Sequence, residues 1–330
     1  MGFWDFWTTD AKDYVFGQLN ASQGPPGTAS VAINADTAYV EVTLRRLWIP
    51  KVRIGTKKFY GAVHSDLGLW HESGDFVNFK HVITPDELKD QDVDAKHLDR
   101  AIVSNQPILG PTPYRGGRLQ FNLALLSIKA EDLAGPFLEV LSGLAGAAGV
   151  SFVGAAQPFL KPLGTGIDLL TGTSGASVRE IQVMTNLQPV LTGVFVVVRA
   201  TKNEVDLQKI RVEPDYTLSD ANQQPLTAYP YMVATIERAD SRADWAGIPD
   251  VKTAYERVKT AVRNDKPEEY RDAMTVFRRT CMLSPDLLSS HARKLVKEVQ
   301  SKMDELMGAP LTSGTQEKRQ VPNLDSFDPF

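Results

Sequence analysis

The stretch VLSGLAGAAGVSFVGAAQPFL, residues 140–160, carries no charged side chain, and as a helix it is long enough to cross the hydrocarbon of a bilayer. About half of it is Gly, Ala or Ser. Gly143, Gly146, Gly149 and Gly154 each cost about 1 kcal/mol relative to Ala in a helix, so the segment is not stable alone in water. Something has to cover it. With Asp132 as cap, Leu133, Phe137, Leu141, Leu144 and Ala148 fall on one stripe, and Gly143, Ala147, Ser151 and Ala155 recur at four-residue steps beside it. Small residues at that spacing let two backbones approach closely. In lipid, the few Leu, Val and Phe residues contribute only about 0.3–0.6 kcal/mol each, and Gln157 and Pro158 work against insertion. We therefore expect an internally packed helical insertion over residues 131–172, with Gly143, Ala147, Val150, Ser151, Phe152 and Ala155 as its contact surface. The alternative is a membrane device that exposes these same residues conditionally.

The insertion follows a strand-like run, RLQFNLALLSI (118–128), and many such runs surround it. TAYVEVTL places Ala38, Val40, Val42 and Leu44 on one face and Tyr39, Glu41 and Thr43 on the other, the period of a half-buried strand. Further candidates are FYGAVH (59–64), FVNFKHVI (76–83), EIQVM (180–184), GVFVVVRA (193–200), KIRVE (209–213) and YMVATIER (231–238). All are short, rich in Val, Phe and Tyr, and separated by turn residues. VFVVV lacks alternation and predicts a strand buried on both faces. No regular exchange of strands with amphipathic helices occurs, so an antiparallel β-sandwich is expected rather than a doubly wound sheet. The opening YVEVTLRRLWIPKVRIGTKKFYGAVHSDLGL, with two strands joined by a basic loop, resembles the start of a C2-like β-sandwich domain over about residues 35–240. That resemblance implies a search for loop aspartates that hold calcium, and Asp90, Asp92, Asp94 and Asp99 form the one similar cluster. They stand behind Thr84 and Glu87, which read as a capping box, and Ala95 occupies the place where a calcium-binding helix-loop-helix needs Gly. Calcium is not expected.

Residues 245–308 change character. Val251, Ala254, Tyr255, Val258 and Val262 share one helical face behind an Asp250 cap, and Asp265 with Glu268 reads as a second capping box before Tyr270, Ala273, Met274, Phe277 and Cys281. A third helix is expected from Ser284 as cap and Pro285 at its first position, through Leu288, Ala292, Leu295, Val299, Met303 and Leu306, to a stop at Gly308. Three such helices on short connections predict a small bundle. The chain of 330 residues, 42% hydrophobic and 23% charged, thus divides into an N-terminal peptide and linker (1–28), the sandwich with its insertion (29–240), a helical docking module (245–308) and a polar tail (309–330). The fold class is α+β.

Nothing in the sequence names a chemistry. A net charge of -4 gives no basic excess for phosphates, so nucleic acid is not an expected partner. GTGIDLLTGTSGAS lacks the Lys of a phosphate loop, and Gly143, Gly146 and Gly149 have the wrong spacing for a dinucleotide fingerprint. Cys281, the single cysteine, reads as a core residue, with His291 separated from it by Pro285. There is no Gly-x-Ser-x-Gly elbow. His64, His71 and His81 lack the spacing of a zinc site. We expect no catalytic residue, cofactor or metal, although carboxylates such as Asp66, Asp75, Asp86 and Glu87 could converge to make a hydrolase.

The N-terminus MGFWDFWTTD has no Lys or Arg ahead of an apolar core, and Phe6 stands where myristoylation needs Ser or Thr. Together with the lone cysteine, this predicts a cytoplasmic protein, with a peripheral membrane position under the alternative reading. The tail ends in NLDSFDPF, where Phe327, Asp328 and Phe330 predict a docking peptide. The expected function is a non-enzymatic adaptor, scaffold or accessory protein whose partners are proteins bound through the helical module and tail. By arrangement alone it resembles accessory and effector proteins of bacterial conflict systems.

Overall fold

Alternation along residues 39–48 is what the backbone follows: Val40, Val42 and Leu44 are fully buried in an apolar cluster, while Glu41 and Thr43 are half-buried on the other face. The structure is a computed structural model, which describes residues 14–25, 28–50, 53–54, 57–70, 76–83, 104–129 and 177–308. Its strands are β1 (Val15–Gln18), β2 (Tyr39–Trp48), β3 (Arg53–Ile54), β4 (Lys57–Trp70), β5 (Phe76–Ile83), β6 (Ser104–Pro113), β7 (Leu119–Lys129), β8 (Ser177–Leu187), β9 (Gly193–Val198), β10 (Arg211–Val212), β11 (Leu218–Ser219) and β12 (Tyr231–Ala239). Three helices follow: α1 (Pro249–Arg263), α2 (Pro267–Leu283) and α3 (Ser289–Gly308). The chain is α+β, with antiparallel sheets.

One sheet has the order β1-β9-β12-β2-β6. In the other, β4 pairs with β7, β7 with β8, and both β3 and β5 lie along β4. A single apolar cluster draws on both sheets: Val42, Leu44, Phe195 and Met232 from the first meet Leu67, Phe79, Phe121 and Leu123 from the second. The VFVVV run is buried throughout. Phe195 and Val197 enter the inter-sheet cluster, whereas Val194, Val196 and Val198 face a separate cluster roofed by Val205, Ile210, Val212 and Leu218. That second roof is why the run carries no polar alternation.

Strand β6 was not legible because it contains Pro107, Pro111 and Pro113. Among the described residues it pairs with β2 alone and forms the sheet edge, where proline's missing N–H costs no ladder bond. Between β2 and β12 the register slips, with Val233 opposite Arg46 and Ala234 opposite Leu44. The extra residue, Arg45, lets Leu44 and Leu47 share the inter-sheet cluster despite their odd spacing, as a bulge does. The β7–β8 register sets Ile128 opposite Ser177, so the intervening segment leaves and re-enters the sheet at neighbouring points. The expected insertion 131–172, the aspartate cluster 90–99 and the first part of the N-terminal peptide lie outside the described residues.

The helical stripes hold. Val251, Val258, Phe277, Cys281, Leu295 and Met303 share one apolar cluster with Trp245. The caps differ from those expected. Helix α1 begins at Pro249 behind Ile248, and Asp250 lies in its first turn, where a carboxylate still favours the helix dipole. Helix α2 begins at Pro267 behind Lys266, because Asp265 adopts a positive φ of 54° and so belongs to the turn. Glu268 pairs with Arg271 instead of closing a box. Ser284 ends α2, and α3 starts at Ser289. The intervening turn is held by Ser284, whose carbonyl accepts from the Leu287 N–H and whose Oγ accepts from the Asp286 N–H, both at 3.3 Å. Proline fixes a helix start more firmly than a nearby acceptor does, since its φ is set and it lacks the orphan donor.

Candidate functional site

The expected contact surface, Gly143, Ala147, Val150, Ser151, Phe152 and Ala155, and the docking tail, Phe327, Asp328 and Phe330, lie outside the described residues. Among the described residues no helix is long and apolar enough to cross a membrane, and no group of three or more His, Cys, Asp or Glu residues lies together. The β4–β5 register puts Val82 opposite His64 and Ser65 opposite His81, so the two histidines are not cross-strand partners; His71 is outside the described residues. Cys281 is buried, and burial pushes its thiol up to about 12. It is held as a neutral thiol, unlike a reactive cysteine.

Two features of the helical unit stand out. The first is its seam with the sheets. Tyr39, on the outer face of β2, is fully buried. Its hydroxyl accepts from the Leu288 N–H at 2.9 Å and lies 2.8 Å from His291 Nδ1. The hydroxyl has one proton and two acceptor sites, so whether it donates to Nδ1 or accepts from it follows the imidazole tautomer. Burial, followed by the charges of Arg242 and Lys294, holds the imidazole below its ordinary range. Burial likewise pushes the Tyr39 hydroxyl up to about 12.

Beside this pair lies Arg242, with no exposed surface. Its Nε and one terminal nitrogen donate to both oxygens of Asp244, at 2.7 and 2.8 Å, and its other terminal nitrogen donates to the Asp286 carbonyl at 3.1 Å. Asp286 is itself buried, with a carboxylate oxygen 3.9 Å from the guanidinium. Arg115 closes the seam from the β6–β7 connection, donating to Asp36 at 2.9 Å and to the Leu287 carbonyl at 3.2 Å. That connection turns through Gly117 at a φ of 79°, where the Trp70 ring approaches to 2.5 Å of any added Cβ. Sequence reading missed the seam: Tyr39 counted as an outward strand position, and Arg242 and Arg115 sit in connections that carry no period. An aromatic on the polar face of a strand was the one available signal.

The second feature is a groove between α2 and α3 with a cavity of about 630 Å³. Tyr270, Met274 and Val296 form its buried floor, Met307 lies at one end and Arg271 and Arg278 form a basic rim. Tyr270 donates to Asp304 at 2.5 Å, tying the start of α2 to the end of α3. Burial and then this carboxylate raise the phenol's pKa. Tyr270 and Met274, expected as helix core, are buried in the apolar cluster of the helices and also line this groove.

Compared with models of protein families, with curated proteins and with solved structures, the chain matches none.

Proposed function

We propose that the protein is a non-enzymatic, modular interaction protein, in which a C2-like β-sandwich with a helical insertion carries a three-helix docking bundle. The observation that supports this reading is the seam. Arg242, Tyr39 and His291 bind the helical unit to the outer face of the first sheet through directed, buried bonds, so the groove between α2 and α3 is presented at a fixed orientation to the sheets. A rigid platform with an amphipathic trough suits helix- or peptide-in-groove recognition. The partner is a protein, and the site of action is the cytoplasm. The test is affinity capture with the full chain and with Arg271→Glu or Arg278→Glu, each checked for an unchanged melting midpoint. A stoichiometric partner that is kept by the wild type and lost from either variant supports the reading. Turnover of ester, phosphoester or peptide substrates by the purified chain overturns it.

A second reading is a membrane-acting effector that uses residues 140–160 after activation. It is favoured by the register that closes the charge-free segment as an excursion from one end of β7 and β8, so that the segment could leave without unpairing a strand. Leakage of anionic liposomes that appears only after limited proteolysis, and is abolished by Val150→Asp, would establish it. A carboxylate near mid-bilayer costs about 2.5–3.5 kcal/mol on insertion scales.

A further inference from the structure

We infer that residues 309–330 of the same chain are the resident occupant of the groove between α2 and α3, seated in competition with an external partner; this rests on the docking reading above. Three observations carry it. The segment begins directly after α3, whose Met307 lines one end of the groove. Tyr270 and Arg278 lie two helical turns apart, roughly 12 Å at 1.5 Å per residue, whereas an extended segment reaching Phe327 spans roughly 60 Å. Reach is therefore no obstacle.

Charge points the same way. The rim of the groove is basic, at Arg271 and Arg278, with Asp304 near its Met307 end. The segment ends acidic: after Arg319 its charged side chains are Asp325 and Asp328. Its two terminal carboxylates therefore complement the arginines of the rim. The apolar floor of Tyr270, Met274 and Val296 then receives the aromatic rings of Phe327 and Phe330, which flank Asp328 and Pro329. Arg278 is exposed and makes no ion pair among the described residues, which leaves it available for a carboxylate. Tethering supplies the segment at an effective concentration on the order of millimolar, so even a weak seat is filled until a tighter ligand displaces it.

The experiment uses full-length chains and a fluorescent peptide of residues 309–330, with binding read by anisotropy. Wild type, with its own segment seated, should bind the added peptide weakly. Phe327→Ala/Phe330→Ala should bind it at least tenfold more tightly, because its own segment no longer competes. Adding Arg278→Glu to that variant should remove the gain, and a peptide carrying Asp325→Lys and Asp328→Lys should restore it. Equal binding by wild type and the double variant overturns the proposal. So does tail-dependent dimerisation in sedimentation, which would place the segment on a second copy. An external partner that binds both chains equally also overturns it while leaving the docking function standing; a tenfold gain for the peptide with no external partner supports the seat and removes the adaptor reading.

Discussion

Leu44 and Tyr39 lie on one strand and both are completely buried, yet they are held by different physics. Leu44 faces the opposite sheet in a cluster of aliphatic and aromatic side chains, where stabilisation scales with the apolar area removed from water and has no direction. Tyr39 faces the helical unit, where its hydroxyl is fixed between the Leu288 N–H and His291 Nδ1. A polar group in such a place stabilises little when satisfied and costs much when left unpaired. The inter-sheet core should therefore degrade gradually under substitution, and the seam abruptly.

Arg242→Ala should have the largest effect. It removes the guanidinium beside the buried Asp286 carboxylate and frees Asp244, and breaking a buried pair from one side costs about 3–5 kcal/mol. Beyond the magnitude, denaturation followed by sheet and helix probes should change from one shared transition to two. Retention of a single transition would show that the seam does not couple the units. Leu44→Ala, in the inter-sheet core, should cost about 2–5 kcal/mol while the two probes stay coincident, which is the contrast in its sharpest form.

Tyr39→Phe keeps the ring and deletes the hydroxyl, leaving the Leu288 N–H and His291 Nδ1 without their partner, for about 1–3 kcal/mol. A double-mutant cycle with His291→Gln should show coupling between the two positions, and purely additive costs would deny it.

Acidification acts on the same contact. His291 is held below its ordinary value of 6.5 in the folded protein, so its contribution is present above about pH 6.5 and is lost as pH falls toward the lowered value. Protonation puts a hydrogen on both ring nitrogens, so Nδ1 can no longer accept from Tyr39. Glu41 works in the opposite direction, because burial and then Glu237 and Asp244 raise its pKa; it takes up a proton more readily folded than unfolded. The difference in slope between wild type and His291→Gln over pH 7 to 5.5 isolates the imidazole, and parallel curves would remove it from the seam's pH response. The smallest effect belongs outside both regions. Leu283 is 74% exposed, and Leu283→Ser should shift stability by no more than about 0.5 kcal/mol.

Where regular period met regular burial, the sequence was legible. The alternation at Val40, Val42 and Leu44, the unbroken VFVVV run and the helical stripes through Val258, Phe277 and Leu295 all predict their buried faces, because one apolar side needs only a generic apolar neighbour. Helix boundaries were legible only to within a few residues: Asp250, Asp265 and Ser284 are plausible acceptors, but Pro249 and Pro267 set the starts of α1 and α2. In the groove, the stripe at Tyr270 and Met274 was visible as apolar, while its openness depends on how α3 lies.

The sequence by itself determined an α+β chain, an antiparallel set of short strands and three amphipathic helices after residue 245, since local periodicity and the hydrophobic effect act over a few residues and have no long-range direction. Only the tertiary structure decided that Pro-containing β6 completes a sheet edge, that Tyr39 meets His291 across 252 positions of sequence, and that Arg242 is buried against Asp244 and Asp286. Hydrogen bonds and ion pairs need donor and acceptor within about 3 Å at a defined angle, and no spacing along the chain encodes that when the partners arrive on separate elements.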